Sequence, residues 1–200
     1  TAVSAINAQF EQEQLVVVDN FLNPEILEEL YQYCVESTIW HESEKSLFVG
    51  SYWDEGPSHP LMVSVAKEIS RVFPFVRGLP LVHMWAYNFD SRKEKTHRSG
   101  INKHMDSAIV NINLWLTPDE ANLDPKSGGL VVWLKNLFSE EHNPNNKVFP
   151  FHEVQDPHFG TAFLAGAEHL NVTISYKRNR VVIFNSAVWH ATDEYNFKHG

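Results

Sequence analysis

"NKHMDSAIVNINLWLT", residues 102–117, decides the reading of this chain. From Ala108 onward it alternates as a strand does, with Ile112 and Leu114 on one face and Asn111 and Asn113 on the other. Successive strand side chains point to opposite faces, so residues two apart share a face. That parity, carried back a few residues, sets His104 and Asp106 side by side. An imidazole and a carboxylate so placed can fill two adjacent positions around a metal ion. They can equally be a hydrogen-bonded pair on a wet strand face. Composition alone yields roughly 0.4 such pairs by chance, so the spacing leaves both readings open.

A metal site needs a third ligand from elsewhere in the chain. His190 offers it, in "FNSAVWHATDEY", just past the apolar run "RVVIF" (180–184). Two histidines and one carboxylate on one face of an octahedron leave three positions open, the arrangement of non-haem Fe(II) oxygenases. The other histidines compete poorly. His41, His59, His142, His158 and His199 lie in polar or Pro-rich segments and read as solvated. His152 and His169 fall in an irregular stretch, His83 reads as a satisfied core histidine, and His97 sits in a basic loop.

The 200 residues suit one domain, with 43% hydrophobic and 20% charged residues placing it among globular proteins. A formal net charge of −9 argues against sequence-independent nucleic-acid binding, which needs a basic footprint. The single cysteine, Cys34, forbids an internal disulfide, reads as a packing thiol, and favours a reducing, cytoplasmic setting. No apolar run reaches the ~20 residues that span a bilayer, so no membrane association is expected.

Strand signals begin at "LVVV" (15–18). Asn23 as N-cap and Pro24 at the first helical position open a helix with Leu22, Ile26, Leu30 and Cys34 at helical spacing. Ser58, Pro60 and the set Leu61, Val65, Ile69 and Val72 predict a second helix over 60–73. Strands follow at 81–89, 108–117, 130–134, 171–176 and 180–184. A polar, basic loop covers 91–100, a turn-rich link precedes Leu130, and residues 135–169 are irregular. "KRN" joins the last two strands as a hairpin. Helices first and short strands after predict a mainly β domain with N-terminal helices, a jelly roll rather than a parallel α/β sheet.

Four stretches carry a resemblance: "VVVDNFLNPEILEEL", "MWAYNFDSR…SGINKHMD", "VNINLWLTPDEANLDPKSGGLVVW" and "NRVVIFNSAVWHATDEYNFKHG". Together they span nearly the whole chain, and it resembles the Fe(II)- and 2-oxoglutarate-dependent dioxygenases, in their prolyl-hydroxylase-like branch. The resemblance implies a cupin-like double-stranded β-helix with a helical part over about 20–75 and a jelly-roll core over about 80–200. It implies His104, Asp106 and His190 as Fe(II) ligands, with 2-oxoglutarate and O2 as cosubstrates and ascorbate in support. It implies hydroxylation of a substrate coupled to decarboxylation of 2-oxoglutarate to succinate.

One departure stands out. In that family an Arg or Lys after the distal histidine usually pairs with the far carboxylate of 2-oxoglutarate. Here Lys198 is the only cation after His190. Either Lys198 takes that role or the basic residue lies on a strand beyond Gly200, the favoured expectation; Arg180 is a weaker candidate. Tyr87, Asn111 and Asn113 are further candidate cosubstrate contacts. Trp115 and Trp189 are expected to wall the pocket or fill the core, Trp85 and Trp133 to pack the core, and Trp40 and Trp53 to belong to a substrate lid. The expected substrate is a small molecule, an amino acid or a peptide, with the basic 91–98 loop favouring an anionic one. The rival reading is a non-catalytic jelly-roll module that binds a metal or ligand.

Overall fold

The computed structural model describes residues 2–42, 48–52, 59–89, 100–133, 164 and 170–198. The basic 91–98 loop with His97, Trp53, and the histidines at 142, 152, 158, 169 and 199 lie outside them. Among the described residues are three helices, α1 (Ala2–Glu13), α2 (Pro24–Glu36) and α3 (Pro60–Val72), and nine strands. The strands are β1 (Leu15–Val18), β2 (His41–Glu42), β3 (Phe48–Tyr52), β4 (Trp85–Phe89), β5 (Val110–Leu114), β6 (Leu130–Trp133), β7 (Asn171–Ile174), β8 (Val181–Asn185) and β9 (Trp189–Thr192). No helix among them is long and apolar enough to cross a membrane.

All strand pairing is antiparallel, in three sheets ordered β1-β8-β5, β2-β3-β4 and β7-β6-β9. The first and third face each other. Leu15, Val182 and Phe184 of one meet Leu130, Val132 and Ile174 of the other in a shared apolar layer. The opposite face of the first sheet, with Val16, Val181 and Ile183 buried, is covered by Phe10 of α1 and by Phe73 and Phe75 beyond α3. Outside the third sheet lie Met105, Trp133, Leu164, Trp189 and Ala191. β8 is buried on both faces, which is why "VVIF" is continuously apolar while β5 alternates.

The helices start as their caps dictate. Asn23 Oδ1 accepts from the Glu25 N–H at 2.8 Å, with Pro24 at the first helical position. The cap of α3 is His59: its Nδ1 accepts from Leu61 N–H at 3.3 Å, and its ring lies 4.3 Å from that of Tyr33. His59 is therefore a structural residue and not a solvated one. The order of elements also differs from helices first, strands after, because β1, β2 and β3 precede α3 and α1 opens the chain. α1 went unpredicted because a helix that is half polar and buries one residue, Phe10, carries little periodic signal.

The strand expected over 81–89 is paired only from Trp85. His83, ahead of it, is exposed, which corrects its reading as a core histidine. "KRN" is a turn but not the expected hairpin: β7 and β8 belong to different sheets, so it carries the chain from one sheet to the other, with Asn179 at φ 60° in the left-handed region that asparagine tolerates. Cys34 is half-buried and burial pushes its thiol pKa up to about 11, so it packs rather than reacts.

Candidate metal centre

Residues 102–106 cross from one sheet to the other. His104 forms a β-bridge to His190 of β9, with reciprocal backbone hydrogen bonds of 3.0 Å. Two residues on, Asp106 N–H donates to the Ser186 carbonyl at 3.1 Å, at the end of β8. Met105, between them, turns outward into the apolar layer with Trp189 and Ala191. His190 alternates with those two residues along β9 and faces inward, its ring 4.8 Å from that of Phe184. Strand parity on both segments thus aims His104, Asp106 and His190 at one point.

Their ligand atoms all lie within 4.8 Å of one another. His104 Nε2 stands 3.6 Å from Asp106 Oδ1 and His190 Nε2 stands 3.3 Å from Oδ2. Each ring turns its other nitrogen to a backbone carbonyl two residues earlier, His104 Nδ1 to Asn102 at 2.6 Å and His190 Nδ1 to Val188 at 3.0 Å. A carbonyl only accepts, so Nδ1 carries the proton in each neutral ring and the Nε2 lone pairs point inward. Burial, then His190 beside it, lowers the pKa of His104 and favours the neutral ring a metal requires. Burial pushes the Asp106 carboxyl up, but His190, His104 and the Asn111 amide outweigh it and leave its pKa below the ordinary range. Two neutral imidazoles and one carboxylate fit a divalent first-row metal.

The other candidates fall into distinct places. Asn111 is buried, donates through Nδ2 to Asp106 Oδ2, and accepts the Ser186 hydroxyl at 2.7 Å. Both ends of its amide are thus engaged, one by the Asp106 carboxylate and the other by the Ser186 hydroxyl. Asn113 lies on the same face of β5, paired with Val182. Tyr87 pairs with Gly50 across β3 and β4; burial, then its Tyr52 neighbour, raises its pKa, and the charge of Asp106 adds to the rise. Its phenol stays protonated and able to donate. Lys198 is exposed, and its N–H donates to the Ala121 carbonyl at 2.7 Å. Arg180 is bound to Asp19 at 2.6 Å and to the Ser175 carbonyl at 2.8 Å, on the surface turn.

Trp189 fills the layer outside β9 and so does not wall the site; Trp133 lies with it there, and Trp115 packs between the sheets. Trp85, on β4, is half-buried rather than fully in the core. Trp40 is tied to the end of α2, its Nε1 donating to the Cys34 carbonyl at 2.8 Å. Ser186 was missed by sequence reasoning. Its one signal was the "NS" dipeptide between the apolar strand and the distal histidine.

Solved structures share this architecture over nearly the whole chain. A Pseudomonas putida prolyl-4-hydroxylase aligns with a TM-score of 0.59 at 11% identity, covering 98% of this chain and 94% of the other. The non-haem α-ketoglutarate-dependent epimerase SnoN from nogalamycin biosynthesis gives 0.65 at 13% identity, covering 100% and 77%.

This chain has the fold of the 2-oxoglutarate-dependent non-haem iron oxygenases.

HygX from Streptomyces hygroscopicus, solved with nickel, 2-oxoglutarate and hygromycin B bound, aligns at 0.61 and 12% identity over 97% and 82%. No protein-family model and no curated protein matches the chain. At such identities the likeness resides in the backbone.

Proposed function

We propose that this protein is an Fe(II)- and 2-oxoglutarate-dependent oxygenase that hydroxylates a small-molecule, amino-acid or peptide substrate, on a sandwich that is a double-stranded β-helix. The observation that carries the proposal is the inward convergence of His104 Nε2, His190 Nε2 and one Asp106 oxygen. The bound iron and cosubstrate would supply the oxidation, one oxygen atom of O2 entering succinate and the other the hydroxylated product, with release of CO2. His104, Asp106 and His190 would hold the ion through the two Nε2 atoms and a carboxylate oxygen. The Asn102 and Val188 carbonyls fix the rings in the ligating tautomer. Phe184 walls His190 and keeps water from that side. Tyr87 and Asn113 are proposed to meet the cosubstrate. Lys198 is proposed as the cation for its far carboxylate.

The test is iron-dependent, ascorbate-supported conversion of 2-oxoglutarate to succinate, followed by isotope transfer from labelled O2 into an organic product. Succinate formed without label in the product would replace hydroxylation by a desaturating, cyclising or epimerising outcome at the same site. Metal binding with no metal-dependent affinity for 2-oxoglutarate would overturn the oxygenase reading in favour of a non-catalytic module. His104→Ala and Asp106→Ala are each expected to abolish iron retention while the far-UV circular dichroism stays that of the parent. Unchanged iron content in both would remove the ligand assignment.

A further inference from the structure

Asp106 presents two oxygens to any ion between the histidines. If both bound, one of the three open positions that a chelating 2-oxo acid and O2 require would be lost. We propose that Asn111 and Ser186 form a positioning relay that makes Asp106 a ligand through one oxygen only. The inference rests on the metal reading above.

The relay runs through three segments distant in sequence. Asn111 Nδ2, on β5, donates to Asp106 Oδ2. The Ser186 hydroxyl, in the β8–β9 turn, donates to Asn111 Oδ1 at 2.7 Å. Asn111 and Ser186 are 6% and 0% exposed, so water does not compete for either bond. The amide has a defined orientation, because a flipped Asn111 would set its carbonyl oxygen against the carboxylate. Ser186 also fixes the backbone on both sides of the relay. Its carbonyl accepts from Asp106 N–H and its N–H donates to the Ile109 carbonyl, both at 3.1 Å. One residue thereby grips the Asp106 main chain directly and the Asp106 side chain through Asn111. The donated N–H takes one lone pair of Oδ2, which lies 3.3 Å from His190 Nε2, and fixes the plane of the carboxylate, so that Oδ1, 3.6 Å from His104 Nε2, is the oxygen turned to the ion.

The experiment measures Co(II) and Mn(II) dissociation constants, the visible spectrum of the Co(II) form, and the melting temperature of the metal-free protein. Asn111→Ala is expected to weaken metal binding by about 10–100-fold, as loss of a partner to a ligand does. It is also expected to alter the Co(II) spectrum as the carboxylate swings to a second binding mode. Ser186→Ala is expected to move both readouts the same way by less, and the double variant to bind no more weakly than Asn111→Ala, since the two residues act in series. Ser186→Ala, which leaves the Asn111 side chain in place, decides the question if Asn111→Ala does not fold. Metal constants and spectra unchanged in the variants, with only the melting temperature lowered, would overturn the relay while leaving the metal centre standing. Parent protein that binds neither ion would overturn both.

Discussion

At the scale of single residues, the candidate centre depends on atoms supplied two positions away. His104 and His190 each lean on the carbonyl of residue i−2, a device available wherever a strand residue turns its ring back along its own chain. Asn179 is a second residue that acts through local geometry. It sits at φ 60°, its Oδ1 accepts from Leu22 N–H at 2.8 Å, and its Nδ2 donates to the Leu22 carbonyl at 2.8 Å. Asn179→Ala is expected to destabilise the fold by about 2 kcal/mol, from two lost hydrogen bonds and their stranded partners. Asn179→Gly should cost less, because glycine accepts the left-handed backbone. Urea midpoints of the two variants measure the difference. A turn at "KRN" was legible; its crossing between two sheets and the reach of Asn179 to Leu22 were not, since nothing local links residues so far apart.

At the scale of elements, the loop after β1 is tied to the turn between β7 and β8 by charge. Asp19 pairs with Lys177 at 2.8 Å and Arg180 at 2.6 Å, and these hydrogen bonds, Arg180 first, hold its carboxyl down at about 2. A depressed folded-state pKa stabilises the fold above the ordinary carboxylate range and loses that contribution as pH falls toward about 2. The group is partly solvated, so the contribution at neutral pH is under about 1 kcal/mol after screening. Thermal melts from pH 6 to pH 2 should show parent and Asp19→Asn differing at neutral pH and converging at the acid end. A constant offset across the range would mean the carboxylate charge contributes nothing. β1, β5 to β8 and α2 were legible because period-2 and period-3.6 patterns are local, while the short β2, β3 and β9 were not read as strands. The cap of α3 was not, because a histidine reads as an N-cap only once its ring nitrogen is seen facing Leu61.

At the scale of the molecule, the sandwich exists because the two main sheets each have an inward apolar face. Phe184 is fully buried in that layer and also meets His190 edge-on. Phe184→Ala is expected to cost about 3–5 kcal/mol, the range for a large buried aromatic. Equilibrium denaturation measures the loss, and iron retention in the still-folded fraction should fall with it as the His190 ring gains freedom. A small stability loss with intact iron content would mean the sheets hold His190 without that ring. The sequence by itself determined which residues alternate and which run continuously apolar. It thereby determined strands β1, β5, β6, β7 and β8, the capped helix α2 and the shared face of His104 and Asp106, since these follow from the geometry of neighbouring peptide units. Only the tertiary structure decided that His190 and His104 bridge one another, that Ser186 reaches Asp106 through Asn111, and that His83 faces solvent. Those facts depend on which strands pair, and pairing is set by burial summed over the whole chain rather than by any short stretch of it.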